Sequence, residues 1–288
     1  MVVGSQVRPL RSDDETALET FLRQHADSSM FLRSNARAAG LEYHGAPLEA
    51  DYVAAFDGER IVAVAAHCWN GMVLVQAPEQ VDVVARAAVG RSGRAVTGIS
   101  GPADQVSATR TALGLDGRAA PKFGREDLFA LDLADMVVPT ALSAGRWTCR
   151  PPRDDELELV AQWRVAFMIE ALHRTGPVSL RAAAAAEVRL LHENAMDWLL
   201  FDAGRPVAFS AFNARLPDIA QVGGVWVPVD LRGRGYGRAV VAGSLLDARA
   251  QGVSRSVLFA EREDAKRAYR GLGFTVVGEY GLVLFDAG

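Results

Sequence analysis

One segment restricts this chain more than any other. It is Val225-Trp226-Val227-Pro228-Val229-Asp230-Leu231-Arg232-Gly233-Arg234-Gly235-Tyr236-Gly237-Arg238. A β-type run enters a glycine-rich turn, and the apolar spacing after Tyr236 predicts a helix leaving it. Such a strand–turn–helix aims unpaired main-chain N–H groups, together with the positive end of the helix dipole, at one point. That is an anion site. Glycines allow the backbone to approach a phosphate without a Cβ in between. Arg232, Arg234 and Arg238 can add charge-assisted hydrogen bonds. The ATP-type string GxxxxGK[ST] is absent. The dinucleotide fingerprint GxGxxG fails at its last glycine, where this chain has Arg238. Pro228 suits a strand that leaves its neighbour at its end.

The rest of the sequence narrows the setting. With 288 residues, half of them apolar, the chain has material for two soluble domains. A net charge of −4 gives no general attraction to nucleic acid or to an anionic membrane. No uncharged apolar run reaches the ~18 residues of a membrane span, and Met1 to Leu10 lacks the apolar core of a signal peptide. The two cysteines, Cys68 and Cys149, make neither a disulfide framework nor a zinc motif. A cytoplasmic protein without a metal is expected. Abundant arginine and alanine beside only Lys122 and Lys266 read as a GC-rich bacterial genome.

Periodicity predicts helices over Asp13 to Ala39, Gln80 to Val89, Asp104 to Leu113, Asp154 to His173, Leu180 to Asn194, Tyr236 to Gln251 and Asp264 to Gly271. It predicts strands over Met72 to Ala77, Ala95 to Ile99, Leu128 to Leu133, Trp147 to Arg150, Ile219 to Val227 and Ser256 to Ala260, with closing strands over Phe274 to Phe285. Two hairpins match each other. Phe56-Asp57-x-x-Arg60-x-Val62-Ala63 has the spacing of Phe201-Asp202-x-x-Arg205-x-Val207-Ala208, and Leu113-Gly114-Leu115 echoes Leu272-Gly273-Phe274. A tandem pair of related domains accounts for both. The irregular stretch Val137 to Gly145 puts their boundary near residue 140.

Two motifs carry a resemblance to a known family. Arg232-x-x-Gly235-x-Gly237 resembles the pyrophosphate-binding motif of the GCN5-related N-acetyltransferase (GNAT) superfamily. Asp264 to Phe274, a helix bearing Tyr269 followed by Leu272-Gly273-Phe274, looks like a later segment of the same family. Gln221 to Val225 looks like a bacterial two-domain branch. The resemblance covers roughly residues 147–285. It implies an α/β fold of α+β mixed-sheet type: tandem GNAT-like domains, each a mostly antiparallel twisted sheet with a splayed central strand pair. The domains would be 1–140, a degenerate copy, and 141–288, the acetyltransferase. The first half has no arginine-glycine turn after Val75-Gln76-Ala77-Pro78, so loss of CoA binding there is expected.

By this resemblance the substrates are acetyl-CoA and an amine acceptor, either a small molecule or a protein amino group. Pantetheine would follow Val225, Trp226 and Val227, and the pyrophosphate would sit at Arg232, Gly233, Arg234, Gly235, Tyr236, Gly237 and Arg238. Tyr269 would protonate the departing thiolate, since a phenol of pKa about 10 keeps its proton at neutral pH. The general base stays open: Glu261 at a strand end is one candidate, Glu170 and His173 are others. The family often has asparagine where this chain has Arg262. Cys68 reads as core filler, Cys149 has no histidine at a spacing that would make it a nucleophile, and His192 reads as a packing or capping group. Two other readings are a CoA-responsive protein without turnover and a first half that serves partner binding or homodimer formation.

Overall fold

The computed structural model describes residues 6–285 apart from Leu172 and Thr175. Met1 to Ser5 of the stretch Met1 to Leu10, and Leu172 of the expected helix Asp154 to His173, lie outside the described residues. The chain forms two compact units, residues 1–127 with 278–288, and residues 128–277.

The first unit contains β1 (Gln6–Pro9), α1 (Glu15–Arg23), α2 (Met30–Ala39), β2 (Ala50–Asp57), β3 (Arg60–Cys68), β4 (Met72–Gln76), α3 (Val81–Ser92), β5 (Gly98–Pro102) and α4 (Ala103–Ala112). The single expected helix Asp13 to Ala39 is two helices. The chain turns between them at Ser28 and Ser29, whose hydroxyls donate to the Gln76 side chain at 2.8 and 3.2 Å. β2 is buried on both faces, and its alternation sorts the two cores. Tyr52, Ala54 and Phe56 join Leu18, Leu22 and Leu32 of α1 and α2. Val53 and Ala55 join Val84 and Ala88 of α3 and Val106 of α4.

The second unit contains α5 (Thr140–Ser143), β7 (Trp147–Arg150), α6 (Leu157–Ala171), α7 (Pro177–Glu193), β8 (Asp197–Asp202), β9 (Arg205–Arg215), β10 (Ile219–Trp226), α8 (Tyr236–Ala250), β11 (Arg255–Ala260) and α9 (Glu263–Arg270). Within it β11, β10, β9, β8 and β7 are successive neighbours in one sheet, and the pairs among them are antiparallel except for the parallel pair β10–β11. Helix α8 covers one face, with Val241 and Leu245 buried against Ala220, Val222 and Leu258. Helices α6 and α7 cover the other, where Val160 and Val188 meet Leu199, Phe209 and Trp226.

Two strands depart from the division at 140/141. β6 (Lys122–Asp132) has its second half, from Leu128, in the second unit, where Phe129 and Leu131 enter the α8 core. β12 (Thr275–Leu284) is one strand rather than several, and from Gly278 it belongs to the first unit. There it pairs antiparallel with β5, from Tyr280↔Pro102 to Leu284↔Gly98. Val283 is wholly buried among the side chains of α3 and α4. A fully buried valine contributes about 1.5–3 kcal/mol, so this strand is part of the first unit's core.

The two units repeat one local device. Arg8 makes paired 2.7 Å bonds to Asp14, donates to the Pro9 carbonyl and lies 4.2 Å over the Phe56 ring. Arg150 makes paired 2.7 Å bonds to Glu156, donates to the Pro151 carbonyl and lies 4.1 Å over the Phe201 ring. The N–H of Arg11 and of Arg153 then caps the same carboxylate, at 2.9 and 2.7 Å. Phe56 and Phe201 are the first residues of the two matching hairpin motifs, so the repetition extends from the hairpins to the strand that precedes them.

Candidate active site

β10 and β11 form a parallel ladder from Ile219↔Arg255 to Val222↔Leu258, and no further. β10 nonetheless continues to Trp226 and β11 to Ala260. The main-chain groups of β10 beyond Val222 that face β11 therefore have no ladder partner there. The bend has a local cause. Against β9, β10 shifts register at Gln221/Val222 and again at Gly223/Trp226, with Gly224 at φ +62. Such bulges bend a strand away from its neighbour. The Arg164 guanidinium rests on the bulge: a Cβ on Gly224 would stand 3.0 Å from its Nη1. Arg164 is itself held by Glu187, with Nε donating to Oε2 at 3.1 Å.

The parted strand leads into the glycine turn. Val229–Leu231 make a single 3-10 turn, Arg232 is extended, and Gly233 and Gly235 have φ +79 and +86. At those angles a Cβ costs about 1–2 kcal/mol, which is why glycine stands at both. Gly235 is the N-cap of α8, and no side chain caps that end of the helix. The first N–H groups of α8 and their dipole face outward as donors. The first turn packs on the strand, since a Cβ on Gly237 would meet Val227 Cγ2 at 3.4 Å.

The side chains of the motif mostly serve the frame. The Tyr236 hydroxyl donates to Asp202, its ring meets Trp147 edge-on at 5.0 Å, and the neighbouring carboxylate raises its pKa. The Trp226 side chain is buried against α6 and α7, and the Arg232 guanidinium lies 4.9 Å over its ring. Arg232 Nε donates to the Val227 carbonyl at 3.1 Å. Val225 and Val227 are half-buried at the strand's end. Arg234 is exposed and donates to the Asp230 carbonyl at 3.3 Å. Arg238 reaches the end of α9, where a Cβ on Gly271 would stand 3.0 Å from its Nη1. Tyr269, on α9, is buried with its ring centroid 6.3 Å from Phe129 and 6.1 Å from Phe274.

Of the candidate bases, Glu261 is exposed at the end of β11, and His173 is exposed in the α6–α7 connection. Glu170 is committed elsewhere. Its carboxylate takes 2.9 Å bonds from Arg232 Nη2 and from Arg262 Nη1. Those bonds, led by Arg232, hold its carboxyl below the usual range. That counts against Glu170 as a proton acceptor near neutral pH. The sequence shows no sign of this pairing beyond the unusual arginine at 262. Burial pushes both cysteine thiols up to about 12, and Cys149 Sγ sits under α8 at 3.9 Å from the Val240 carbonyl. Neither suits a nucleophile. His192 bonds Asp197 at 3.4 Å, and burial raises the Asp197 carboxyl to about 6. Among the described residues no cluster could hold a metal ion, and no helix is long and apolar enough to cross a membrane.

The first unit lacks this arrangement. β4 and β5 stay in contact past their last ladder pair, because a Cβ on Gly101 would stand 2.5 Å from the Val75 carbonyl oxygen. The Ala77 N–H just after β4 donates to the Gln105 side-chain oxygen at 2.6 Å.

Residues 158–274 match the model of the Acetyltransferase (GNAT) family. No curated protein sequence matches the chain significantly. Among solved structures, the chain is similar to a GCN5-related N-acetyltransferase from Sphaerobacter thermophilus, at 17% identity and TM-score 0.56, covering 97% of this chain and 94% of that one. A GCN5-related N-acetyltransferase from Kribbella flavida is similar at 18% identity and TM-score 0.54, over 79% and 88%. A tandem GNAT protein from the clavulanic acid biosynthesis pathway is similar at 12% identity and TM-score 0.55, over 99% of both chains. The fold is that of tandem GNAT domains. The family whose model matches residues 158–274 is one of acetyltransferases.

Proposed function

We propose that the second unit moves an acetyl group from acetyl-CoA to an amine acceptor, in a ternary complex. One observation carries this reading: β10 and β11 part after Val222 and Leu258, and the parted strand runs directly into an uncapped helix start with left-handed Gly233 and Gly235. The groups present fit the substrate. The donors at Gly233, Arg234, Gly235, Tyr236, Gly237 and Arg238 suit a diphosphate through main-chain N–H groups. The unpaired edge of β10 around Val225, Trp226 and Val227 suits an amide-bearing pantetheine arm. A main-chain N–H there could polarise the thioester carbonyl, a contribution of ~3–4 kcal/mol. The amine nitrogen bonds to the carbonyl carbon, the carbon–sulfur bond breaks, the amine gives up a proton and the thiolate takes one. Tyr269 is our proposed donor to sulfur, and Glu261 remains our candidate for the base.

Incubation with acetyl-CoA and a broad panel of small amines and peptides tests the proposal by thiol release. Release with at least one acceptor is expected; none under any condition would count heavily against catalysis. A small-molecule or protein amine in the cytoplasm is the acceptor class proposed. The first unit, whose β4–β5 pair stays closed, is proposed not to bind CoA.

A second reading has a specific observation in its favour. Glu170, the carboxylate bonded to the arginine that opens the turn, is locked in two ion pairs. A protein that binds CoA without turnover would need no base. CoA binding by calorimetry without thiol release under any condition would favour this reading.

A further inference from the structure

Arg232 and Arg262 follow the two strands that part, Arg232 after β10 and Arg262 after β11. One carboxylate joins them. Glu170, in the last turn of α6, accepts from Arg232 Nη2 on Oε2 and from Arg262 Nη1 on Oε1, both at 2.9 Å. Each guanidinium has a second anchor that fixes its plane. Arg232 Nε holds the Val227 carbonyl at 3.1 Å, and Arg262 holds Asp264 through Nε at 3.1 Å and Nη2 at 2.9 Å. Two oxygens of one anion, each taken by a different arginine, is also how a phosphoryl group is gripped. Carboxylate and phosphate compete for the same planar donor fork. Arg232 immediately precedes Gly233, so this pair of arginines adjoins the donors of the turn.

We propose that Arg232 and Arg262 form an anion subsite for phosphoryl oxygens, and that Glu170 fills it as an internal substitute when no phosphate ligand is bound. The inference rests on the acetyl-CoA reading for its ligand, in which Arg232 already belongs to the turn, and extends it to Arg262 and to Glu170 as the group displaced. Entry of a diphosphate exchanges the Glu170 carboxylate for phosphoryl oxygens on the same two guanidiniums. It releases the last turn of α6 from the strand ends. Binding is thereby linked to the position of the helix whose Arg164 rests on the β10 bulge.

The test is calorimetric titration of the full-length protein with inorganic pyrophosphate and, separately, with CoA. Glu170→Gln keeps the side chain's shape and removes its charge. Exposed ion pairs are individually weak, so the expected gain is about fivefold tighter binding of both ligands. Arg262→Gln in the Glu170→Gln background should cancel that gain. Arg267→Gln, which removes an equal charge from an exposed position on α9, should leave it in place. Glu170→Gln that binds pyrophosphate no more tightly than the parent overturns the subsite. So does Arg262→Gln that weakens binding no more than Arg267→Gln. If the pyrophosphate results hold while CoA fails to bind, the acetyl-CoA reading falls and the subsite stands. If CoA binds and Glu170→Gln changes neither affinity, the subsite alone falls.

Discussion

Substitution of Gly235 separates the turn's shape from its charge. The residue has φ +86 and is the N-cap of α8. Alanine or aspartate there adds about 1–2 kcal/mol of backbone strain. The strain need not unfold the protein, because the nearest atom to the new Cβ is Trp147 Cη2 at 3.8 Å, an ordinary contact. Gly235→Ala thus reports the strain alone. Gly235→Asp adds a negative charge beside the donors. At roughly 5 Å and an effective dielectric near 20, one charge opposes another by about 3 kcal/mol, before screening by salt. A loss of at least tenfold in CoA affinity, about 1.4 kcal/mol, is therefore a conservative expectation for Gly235→Asp. Calorimetry measures the affinity, and a thermal melt of each variant by circular dichroism shows whether the fold persists. A folded Gly235→Asp protein that binds CoA as tightly as the parent would refute the reasoning. Equal losses in the two variants would trace the effect to shape instead of charge.

Other outcomes follow from the same geometry. Tyr236→Phe removes the hydroxyl bond to Asp202 and should cost about 1 kcal/mol of stability in urea denaturation, with CoA affinity unchanged, since the turn would use main-chain groups. Tyr269→Phe should lower thiol release by roughly a hundredfold or more if the phenol is the acid, with CoA binding by calorimetry intact. The carboxyls of Asp14 and Glu156 are held low, first by their bonds to Arg8 and Arg150. Their folded pKa lies below the unfolded one, so the stability they lend is present above the ordinary carboxylate range and is lost as pH falls through the folded values. Urea midpoints between pH 6 and pH 3 should fall less in Arg150→Met than in the parent; parallel curves would contradict this.

The turn was legible because its chemistry is local. Gly233, Gly235 and the helix after Tyr236 are neighbours in sequence, and their residue types follow from backbone angles. The tandem plan showed in the hairpins at Phe56 and Phe201 for the same reason. The repeated clamp of Arg8 and Arg150 was also within reach, since Arg-Pro with an acid five or six residues later occurs at the head of each half, but the match is short and polar. Pairing across long separations was not legible. An apolar strand at Tyr280 to Leu284 has the same alternation whichever sheet edge it joins, and only β5 in three dimensions decides that. The direction of a side chain was equally hidden. Nothing in the spacing shows that Tyr236 turns its hydroxyl to Asp202, or that Glu170 meets two arginines far along the chain.

The placement of that final strand also constrains how the molecule is made. A ribosome works from the first residue onward, so α1 to α4 emerge early, with one rim of their sheet still bare and waiting. The segment that fills it is translated only after residues 128–277 of the second unit. Until then the early half is an unfinished sheet edge, open to wrong partners, and maturation of the first unit must lag behind synthesis of the second.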